Sequence, residues 1–454
     1  MHSNDLSICI LIVGAGPTGL GAAMRCMELD IPFALAEQSN VFGGLAASET
    51  DEHGFVWDYG GHVQFSHYSV FDKYMDTAIA GSKWLHHVRH SVMKVRDAYV
   101  DYPVQAHIEE FPDELRVQCA QELASISASS DLYSNFHDWL VAHVGVTITK
   151  EILGPYNTKI WTVPPALMNA RWVVERVAEP AALSSQDAGN TKDWGPNHLF
   201  RYPSRGGTGA VWAALGSLLP PTSVLMNSKV TRIDTRTHAA ILEDGRQIKW
   251  EHLISTMPVD QLCTISKAVN QPLVDKLEHS QTFLCGLGFA GPCPPFLREM
   301  SWMYFSDPAD PYYRVTVLSN YSDANVPSSK CFSLLIEVAM KRSNQLVDAA
   351  TFASSIEQRI RNEFGITSTT KTVSAWTKLL PYGYPIPTLH RDEIISTINE
   401  QFEQLEVFSR GRFGFWKYEI SNQDHSFMQG YECIGRIHSG TSISDEPTIL
   451  STLA

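Results

Sequence analysis

The sequence has no long apolar run, no excess of basic residues and no paired cysteine spacing, and each absence argues against a class of protein. No stretch reaches the roughly 18 uninterrupted apolar residues of a membrane span. The net charge of −14 is opposite to that of a surface that binds nucleic-acid phosphates. The eight cysteines include no Cys-x-x-Cys pair, so no disulfide framework is indicated. We therefore expect reduced thiols, a cytoplasmic location, and neither membrane insertion nor a nucleic-acid partner.

A β-α-β unit opens the chain. Residues 7–13 predict a buried strand, residues 14–19 read G-x-G-x-x-G, and a helix is predicted over 20–30. Gly14 permits the tight turn, Gly16 lets the backbone approach a pyrophosphate, and Gly19 lets helix and strand pack closely. A second short strand over 33–36 ends at Glu37, which would accept hydrogen bonds from ribose hydroxyls. The unit therefore predicts a dinucleotide site.

A second glycine pair narrows the identity of the dinucleotide. Gly43 and Gly44 follow the second strand by a few residues. A double glycine at this place is typical of FAD enzymes of the glutathione-reductase type, although taken alone it is also compatible with a plain turn. Together the two motifs indicate FAD, held as a cofactor.

The rest of the chain divides by hydrophobic periodicity. Residues 66–185 predict mainly helices, with amphipathic runs near 105–126, 135–145 and 167–178 and a β stretch over 92–102. Strand-like runs dominate 225–257 and 281–380, and helices are predicted near 350–364 and 424–437.

These patterns predict an α/β fold: a discontinuous Rossmann-like FAD-binding domain with an inserted helical domain and an antiparallel β-sheet domain. The FAD-binding domain is assigned to residues 1–65, 186–265 and 390–454. Residues 66–185 form the mainly helical substrate domain, and residues 266–389 form the β-sheet domain.

Arginine and tyrosine carry the candidate substrate chemistry. Arg176 and Arg314 stand among apolar or aromatic neighbours, where an unpaired arginine is costly. Each would either donate to a phosphate in bidentate fashion or pair with a core carboxylate. The hydroxyls of nearby tyrosines could donate to the same phosphates, or the rings could simply pack.

Histidine spacing gives no metal site. The cluster His86-His87-x-x-His90 has no carboxylate or further ligand at a suitable distance in the sequence. We therefore predict that no metal is bound.

A series of motifs resembles one enzyme family in order along the chain. The stretches, with their first residues, are DYGGHVQFSHY at 58, PYNTKIW at 155, ERV at 175, WGPN at 194, PSRGGTG at 203, WMYF at 302, YR at 313, GYP at 383, SRGRFG at 409, KYE at 417 and NQDHSF at 422. Over about residues 8–430 this pattern resembles the eukaryotic (fungal-type) UDP-galactopyranose mutases.

The resemblance implies an FAD-dependent isomerase that is active with reduced flavin. It would interconvert UDP-galactopyranose and UDP-galactofuranose through a covalent adduct between flavin N5 and the sugar, with no net redox change. The cofactor would be tightly bound FAD, NADPH would be the reductant, and the partner would be a UDP-sugar. A homo-oligomer is left open.

The resemblance also assigns residues. Those implied to be catalytic are His62, Arg176 and Arg314. Those implied to bind the cofactor, beyond Gly14, Gly16, Gly19, Glu37, Gly43 and Gly44, are Gly60, Gly61, Val230, Arg412, Asn422, Gln423 and Ser426. Those implied to bind substrate are Tyr102, Val104, Gln105, Asn157, Trp161, Asn197, Trp302, Tyr304, Tyr384 and Tyr418. Arg89 and Ser91 resemble NADPH-phosphate contacts. His62 would either position the flavin or transfer a proton.

Four positions depart from the family pattern. Val104 replaces one aromatic wall of the uracil pocket, Asp101 replaces a proline, Gln64 replaces an aliphatic residue of the loop that would lie against the flavin, and Leu153 replaces a methionine of the uridine wall. Three alternatives therefore stay open. They are a specialised paralogue that uses the same flavin on another nucleotide sugar or a small metabolite, an amine-oxidase-like FAD oxidoreductase, and a flavin-binding protein without turnover.

Overall fold

The computed structural model describes residues 6–126, 133–173, 176–178, 195–269, 271–344 and 348–450, which contain two seven-stranded sheets. The strands of this part of the chain are β1 (Leu6–Val13), β2 (Phe33–Ala36), β3 (Ser48–Thr50), β4 (Val56–Asp58), β5 (Trp84–Val88), β6 (Ser91–Val95), β7 (Ala98–Asp101), β8 (Leu199–Pro203), β9 (Val224–Leu225), β10 (Val230–Asp234), β11 (Ala239–Leu242), β12 (Gln247–Ser255), β13 (Ser280–Ala290), β14 (Trp302–Phe305), β15 (Arg314–Thr316), β16 (Cys331–Lys341), β17 (Lys371–Leu380) and β18 (Val407–Ser409).

The helices of the same residues surround these sheets. They are α1 (Pro17–Glu28), α2 (Ser69–Ala78), α3 (Asp113–Ser125), α4 (Phe136–Ile148), α5 (Gly154–Trp161), α6 (Gly207–Gly216), α7 (Val259–Ser266), α8 (Gln271–Val274), α9 (Ala349–Glu363), α10 (Arg391–Glu403), α11 (Gln423–Ser439) and α12 (Pro447–Leu450). Among the described residues, none of the helices combines the length and the apolar character needed to cross a membrane.

The first sheet is built on a parallel core around β1. β1 pairs in parallel with β12 on one side and with β2 on the other, and β9 and β18 extend the parallel set. Ile10, Leu11 and Ile12 are fully buried, because a central parallel strand is covered on both faces. The carboxyl ends of β1 and β2 therefore lie side by side, at the edge where Rossmann folds bind dinucleotides.

Helices α1 and α11 meet backbone to backbone. A Cβ atom at Gly21 would lie 2.1 Å from the Phe427 carbonyl oxygen, and one at Gly430 would lie 1.9 Å from the Thr18 carbonyl oxygen. Only glycine fits such a close approach of two helices. The contact joins the first and last parts of the chain into one packed unit.

The second sheet has the order β17-β13-β16-β15-β14-β6-β7. It is antiparallel except for β14 and β6, which pair in parallel. Ile356 and Ile360 of α9 are fully buried in the same core cluster as residues of this sheet. β6 and β7 come from the segment 66–185, so the mainly helical segment also contributes two strands to this sheet.

The predicted fold class is confirmed by the mixed α/β architecture and the Rossmann-like unit. α1 begins at Pro17, before the predicted start at residue 20, because proline is well suited to the first position of a helix. The helix predicted over 167–178 is wrong in its described part. The Met168 carbonyl there accepts from the Phe136 N–H at 2.8 Å and the Asn169 N–H donates to the Pro387 carbonyl at 2.9 Å, so tertiary contacts replace helical ones. The domain boundaries stay a prediction.

Candidate functional site

In the turn after β1, Gly14 and Gly19 are required by the backbone of the protein, whereas Gly16 is not. Gly14 has a φ of +104°, and a Cβ at Gly19 would lie 1.9 Å from the Gly14 carbonyl oxygen, so both are needed by the local backbone. Gly16 has a φ of −75°, which any residue adopts. A Cβ at Gly16 would make ordinary van der Waals contact with the Gly43 carbonyl oxygen at 3.8 Å and the Gly44 Cα at 3.9 Å. The protein itself therefore has room for a side chain at Gly16, so a close approach of a ligand to this backbone is the remaining reason for glycine.

The surroundings of Gly16 suit a dinucleotide. Among the described residues, no side chain caps the first N–H groups of α1, so they can bind phosphate. Glu37 is 7% exposed, and its carboxylate accepts from the Ala15 N–H at 2.7 Å and from the Ser39 N–H at 2.8 Å. A carboxylate has about four acceptor positions, so ribose hydroxyls can still bind. β10 begins at Val230, close to Glu37, because the N–H of Ser228, two residues earlier, donates to the Glu37 carbonyl.

A cleft of about 1280 Å³, part of it open to solvent, gathers most of the other predicted residues. The predicted residues that line it are Gly60, Gly61, His62, Tyr102, Arg176, Asn197, Trp302, Tyr304, Arg314, Tyr384, Arg412, Tyr418, Asn422 and Gln423. Some come from the loop 59–65, which we call the flavin loop, from β14 and β15, and from the start of α11, and the others come from segments between the strands and helices. Residues far apart in sequence therefore share one site.

Several predicted substrate residues lie behind the cleft wall instead. Val104 is 0% exposed and packs in the apolar core of the helical segment. Trp161 is buried in the same cluster and meets Tyr418 edge to face, with ring centroids 4.9 Å apart. Gln105 donates to the Ala178 carbonyl at 2.7 Å, and Asn157 donates to the Leu153 carbonyl at 2.8 Å. Their direct contact with substrate stays a prediction.

Aromatic side chains build one wall of the cleft. The ring centroids of Tyr102 and Tyr304 are 5.3 Å apart, and those of Tyr384 and Tyr418 are 5.5 Å apart. Burial raises the pKa of the Tyr102, Tyr304 and Tyr384 hydroxyls above the usual tyrosine value. These hydroxyls therefore stay protonated and can act as hydrogen-bond donors.

Arg314 forms a buried ion pair with Glu337, a partner that the sequence analysis did not identify when it left pairing with a core carboxylate open. Its Nε donates to Glu337 Oε2, and its Nη2 donates to Glu337 Oε1 at 2.8 Å. Glu337 is 2% exposed and also accepts from the Tyr313 hydroxyl at 3.2 Å. Glu337 is the one carboxylate in the apolar run CFSLLIEVAM of β16, and that isolation was a signal available in the sequence. Arg314 is thus both paired and exposed to the cleft.

Arg176 and Arg412 bring two further positive charges. Arg176 donates to the Glu419 carbonyl and lies 5.7 Å from the centroid of the Tyr418 ring. Arg412 donates to the Ser421 carbonyl at 3.2 Å and lies 5.7 Å from the centroid of the Tyr384 ring. Cations over aromatic faces in a cleft with few carboxylates favour an anionic ligand.

His62 is neutral at physiological pH. Burial and the Arg412 guanidinium lower the pKa of His62 to about 4. Its Nε2 lies 3.2 Å from the Tyr59 carbonyl oxygen, so Nε2 carries the proton and donates it to that carbonyl. A base of such low pKa accepts protons poorly at pH 7, which favours a positioning role over proton transfer.

The start of α11 faces the flavin loop. Asn422 has a buried Nδ2 with no partner among the described residues, and no side chain of these residues caps the first N–H groups of the helix. Gln423 instead uses its side chain within the protein, because its Oε1 accepts from Gln64 at 2.8 Å and from the Trp212 indole at 2.6 Å. Gln64, which departs from the family pattern, thereby ties the loop to the helix. Ser426 is buried in the first turns of α11.

Together these features meet the needs of FAD. The Gly16 backbone and the first N–H groups of α1 would hold the pyrophosphate. The unsatisfied Asn422 amide and the uncapped N–H groups of α11 would meet the negative charge of a reduced flavin ring.

Comparisons with known proteins agree with this interpretation. Residues 12–77 match the NAD(P)-binding Rossmann-like domain family. A structure of reduced UDP-galactopyranose mutase superposes with a TM-score of 0.91 at 36% identity, covering 98% of each chain. A candidate protoporphyrinogen oxidase from Exiguobacterium sp. 255-15 has a TM-score of 0.72 at 14% identity, covering 97% of this chain and 100% of that one. A putrescine oxidase bound to putrescine has a TM-score of 0.65 at 15% identity, covering 96% and 100%.

Fold and site define a Rossmann-type flavoenzyme. The two more distant matches share only the fold. The match at 36% identity over nearly the whole length shows more: the chain belongs to the UDP-galactopyranose mutase family. The resemblance inferred from the motifs is confirmed at the level of this family.

Proposed function

We propose that this protein is a UDP-galactopyranose mutase of the eukaryotic (fungal) type, which interconverts UDP-galactopyranose and UDP-galactofuranose. The observation that carries the proposal is the cleft, where three arginines and several tyrosines surround the flavin loop of a protein with a net charge of −14. Such donors suit a diphosphate. A cationic amine, the substrate type of an amine oxidase, would be repelled by the same arginines.

The reduced flavin would supply the electron pair that lets the sugar ring open and reclose without net oxidation. The protein binds and orients the reactants. Arg176 and Arg314, from two separate parts of the chain, would bind the diphosphate. The oxygens of the diphosphate would accept hydrogen bonds from Tyr304, Tyr384 and Tyr418. Because UDP would stay bound while the sugar rearranges, these contacts would hold the reacting carbon in place.

The flavin would be held from both ends. Gly16 and the start of α1 would bind its pyrophosphate, and Asn422 and the start of α11 would bind the ring edge where negative charge develops. Neutral His62 would fix the backbone of the flavin loop through Tyr59.

NADPH would reduce the flavin, with Arg89 and Ser91 as its contacts. Arg89 is 5% exposed, donates to Asn197 at 2.7 Å and lies 5.2 Å from the centroid of the Tyr102 ring. The Ser91 Oγ is buried without a partner among the described residues. We place the reaction in the cytoplasm, which suits the eight unpaired cysteines and the supply of NADPH.

One observation favours a second candidate, the same chemistry on another nucleotide sugar. Val104 is aliphatic and fully buried, so it gives the base no aromatic face. Tyr102 is then the only member of the predicted aromatic pair that lines the cleft among the described residues.

The test is incubation of the purified protein with UDP-galactofuranose and dithionite, followed by chromatography of the nucleotide sugars. We expect UDP-galactopyranose to form under reducing conditions and no conversion in air with oxidised flavin. Arg176→Ala serves as the inactive control. A protein without bound flavin, or equal turnover with oxidised flavin, would contradict the proposal. Conversion of another nucleotide sugar, and not of UDP-galactofuranose, would favour the second candidate.

A further inference from the structure

A lysine outside the cleft places its charge among main-chain oxygens. The Nζ of Lys159, in α5, donates to the carbonyl oxygens of Phe305 at 2.9 Å and Tyr312 at 3.2 Å, and also to that of Asp307. Among the described residues, no carboxylate forms an ion pair with this partly buried ammonium group. Taking a charge out of water without an acidic partner is unfavourable, so these three hydrogen bonds have to compensate for it. The motif PYNTKIW contains this lysine, but its resemblance to the family assigned no role to it.

The three carbonyl oxygens belong to the segment that joins two strands of the cleft. β14 ends at Phe305, and β15 begins at Arg314. In the pairing of these strands Tyr304 lies directly opposite Arg314, and both residues line the cleft. Lys159 therefore fastens α5 to the hairpin that carries a proposed phosphate-binding arginine and a proposed tyrosine donor.

α5 itself packs on the aromatic wall of the cleft. Tyr156 meets Tyr304 edge to face, with ring centroids 5.5 Å apart. Trp161, at the end of the same helix, meets Tyr418. The position of the hairpin relative to α5 therefore determines how the aromatic rings of the cleft lie against each other.

The three hydrogen bonds of Lys159 require its charged form. An ammonium group has three N–H donors, whereas a neutral amine has two. Loss of the proton would therefore leave one of the three carbonyl oxygens without its donor. Burial lowers the pKa of Lys159 to about 8, although the nearby Asp310 and Asp307 carboxylates act in the opposite direction.

Other charged groups act on this region through Asp310. They are Lys94 of β6 and Arg359 and Glu363 of α9. In the cleft, the arginines keep their charge at alkaline pH, and burial raises the pKa of Tyr304 and Tyr384 above the usual tyrosine value. These donors to a diphosphate therefore do not titrate near the pKa of Lys159.

We propose that Lys159 is a positioning residue, whose ammonium form holds the β14–β15 hairpin so that Tyr304 and Arg314 bind a nucleoside diphosphate, and whose deprotonation weakens that binding. The inference rests on the proposed function, because the ligand is the same diphosphate. It adds a residue that does not touch the ligand and gives the affinity an alkaline limit.

A purely structural role of Lys159 predicts a different pH dependence. The pKa of Lys159 in the folded protein lies below its usual value of 10.5, so above about pH 8 the unfolded chain keeps a proton that the folded chain loses. The effect of Lys159 on the free energy of unfolding therefore becomes more favourable as the pH rises through this range. A loss of UDP affinity over the same range cannot come from a loss of stability caused by this group.

The test is calorimetric titration with UDP of the full-length, flavin-loaded protein, reduced with dithionite, at about pH 7 and about pH 9.5, which bracket this pKa. We expect the wild type to bind UDP about tenfold more weakly at the higher pH, and Lys159→Met to bind it about tenfold more weakly at both. Lys159→Arg keeps its charge and should bind UDP equally at both pH values. Lys150→Met, a matched change at a lysine whose side chain is 77% exposed, should behave as the wild type does.

The role of Lys159 is overturned if Lys159→Met binds UDP as tightly as the wild type, or if the wild type has the same affinity at both pH values. Thermal unfolding shows whether each variant is folded. If Lys159→Met is not, the pH dependence of Lys159→Arg decides. A dependence equal to that of the wild type would point to another group, such as Lys417, whose pKa burial also lowers, and would contradict the proposal.

Failure of the proposed function gives a different result. A wild type that binds no UDP at either pH contradicts both the function and the role of Lys159. A wild type that converts UDP-galactofuranose while Lys159→Met keeps full UDP affinity contradicts the role of Lys159 alone. The expected UDP affinities without any conversion would support the role of Lys159 and contradict the isomerase.

Discussion

At the scale of single residues, two residues of the same type within one site can have different roles. Gly16 and Gly19 both belong to the glycine motif, yet only Gly19 is required by the protein's own packing. Arg176 and Arg314 both line the cleft, yet among the described residues only Arg314 has a buried carboxylate partner. Each difference can be tested by comparing the same substitution at the two positions.

We expect Gly16→Ala to reduce FAD binding while the apoprotein stays as stable as the wild type. A Cβ there makes only ordinary van der Waals contact within the protein, at 3.8 Å from the Gly43 carbonyl oxygen, but it would obstruct the proposed approach of the pyrophosphate to the Gly16 backbone. Gly19→Ala should destabilise even the apoprotein, because its Cβ would lie 1.9 Å from the Gly14 carbonyl oxygen. Flavin absorbance and thermal unfolding of the apoproteins measure both effects. A Gly16→Ala protein with full flavin content would contradict the assignment.

Arg176→Ala and Arg314→Ala should both abolish turnover but differ in stability. Each lost phosphate contact costs about 1.5–3 kcal/mol, or about 10- to 100-fold in affinity. Arg314→Ala also leaves Glu337 buried and unpaired, which costs about 3–5 kcal/mol of folding free energy. Urea unfolding should therefore separate the two. The double variant Arg314→Met/Glu337→Leu should regain stability without activity; if Arg314→Ala alone is as stable as Arg176→Ala, the ion pair has no structural role.

His62 should make the stability of the protein depend on pH. Its folded pKa of about 4 lies below the usual value near 6.5, so only the unfolded chain is charged between these values. The contribution of His62 to the free energy of unfolding should therefore be fully present above about pH 6.5. Up to about 3 kcal/mol of it should be lost as the pH falls through about 4. His62→Gln should show a smaller pH dependence in urea unfolding.

Other groups titrate in the same range, so the difference between wild type and variant is the informative quantity. Burial raises the pKa of Asp58 to about 6, which gives the opposite slope in both proteins. Equal slopes for wild type and His62→Gln would show that His62 ionises normally.

At the scale of elements, the contact between α1 and α11 decides how the flavin domain is assembled. Gly430→Ala should destabilise the protein and lower its flavin content, because its Cβ would lie 1.9 Å from the Thr18 carbonyl oxygen. Gly435→Ala in the same helix meets nothing closer than 3.8 Å and should be neutral or stabilise by up to about 1 kcal/mol. Thermal unfolding of the two variants measures this difference. Equal effects would mean that the helices separate easily.

At the scale of the whole molecule, FAD would link distant parts of the chain. Its proposed contacts run from Gly16 near the start to Asn422 near the end. Removal of the flavin should therefore lower the melting temperature, and added FAD should raise it again. The stabilisation should grow with the logarithm of the FAD concentration and reach about 2.7 kcal/mol at 100 times Kd. Differential scanning fluorimetry checks this, with UDP as a control ligand that should not replace FAD. The Gly16→Ala protein should not respond.

Local patterns in the sequence were enough for part of the site. The glycine motif and Glu37 form one continuous β-α-β unit, so hydrophobic periodicity and spacing predicted them directly. The motif series identified the family and most of the residues that line the cleft. The β-α-β unit depends on short-range geometry, which the sequence determines by itself, whereas the cleft residues were identified through the resemblance to a family.

Only the tertiary structure decided the rest, because it depends on which segments lie next to each other. Arg314 and Glu337 face each other across the β15–β16 pairing, a register that no local pattern reveals. Val104 was predicted to line the base pocket, and packing against distant helices buries its side chain in the core. Contacts between residues far apart in the chain follow from the packed fold as a whole.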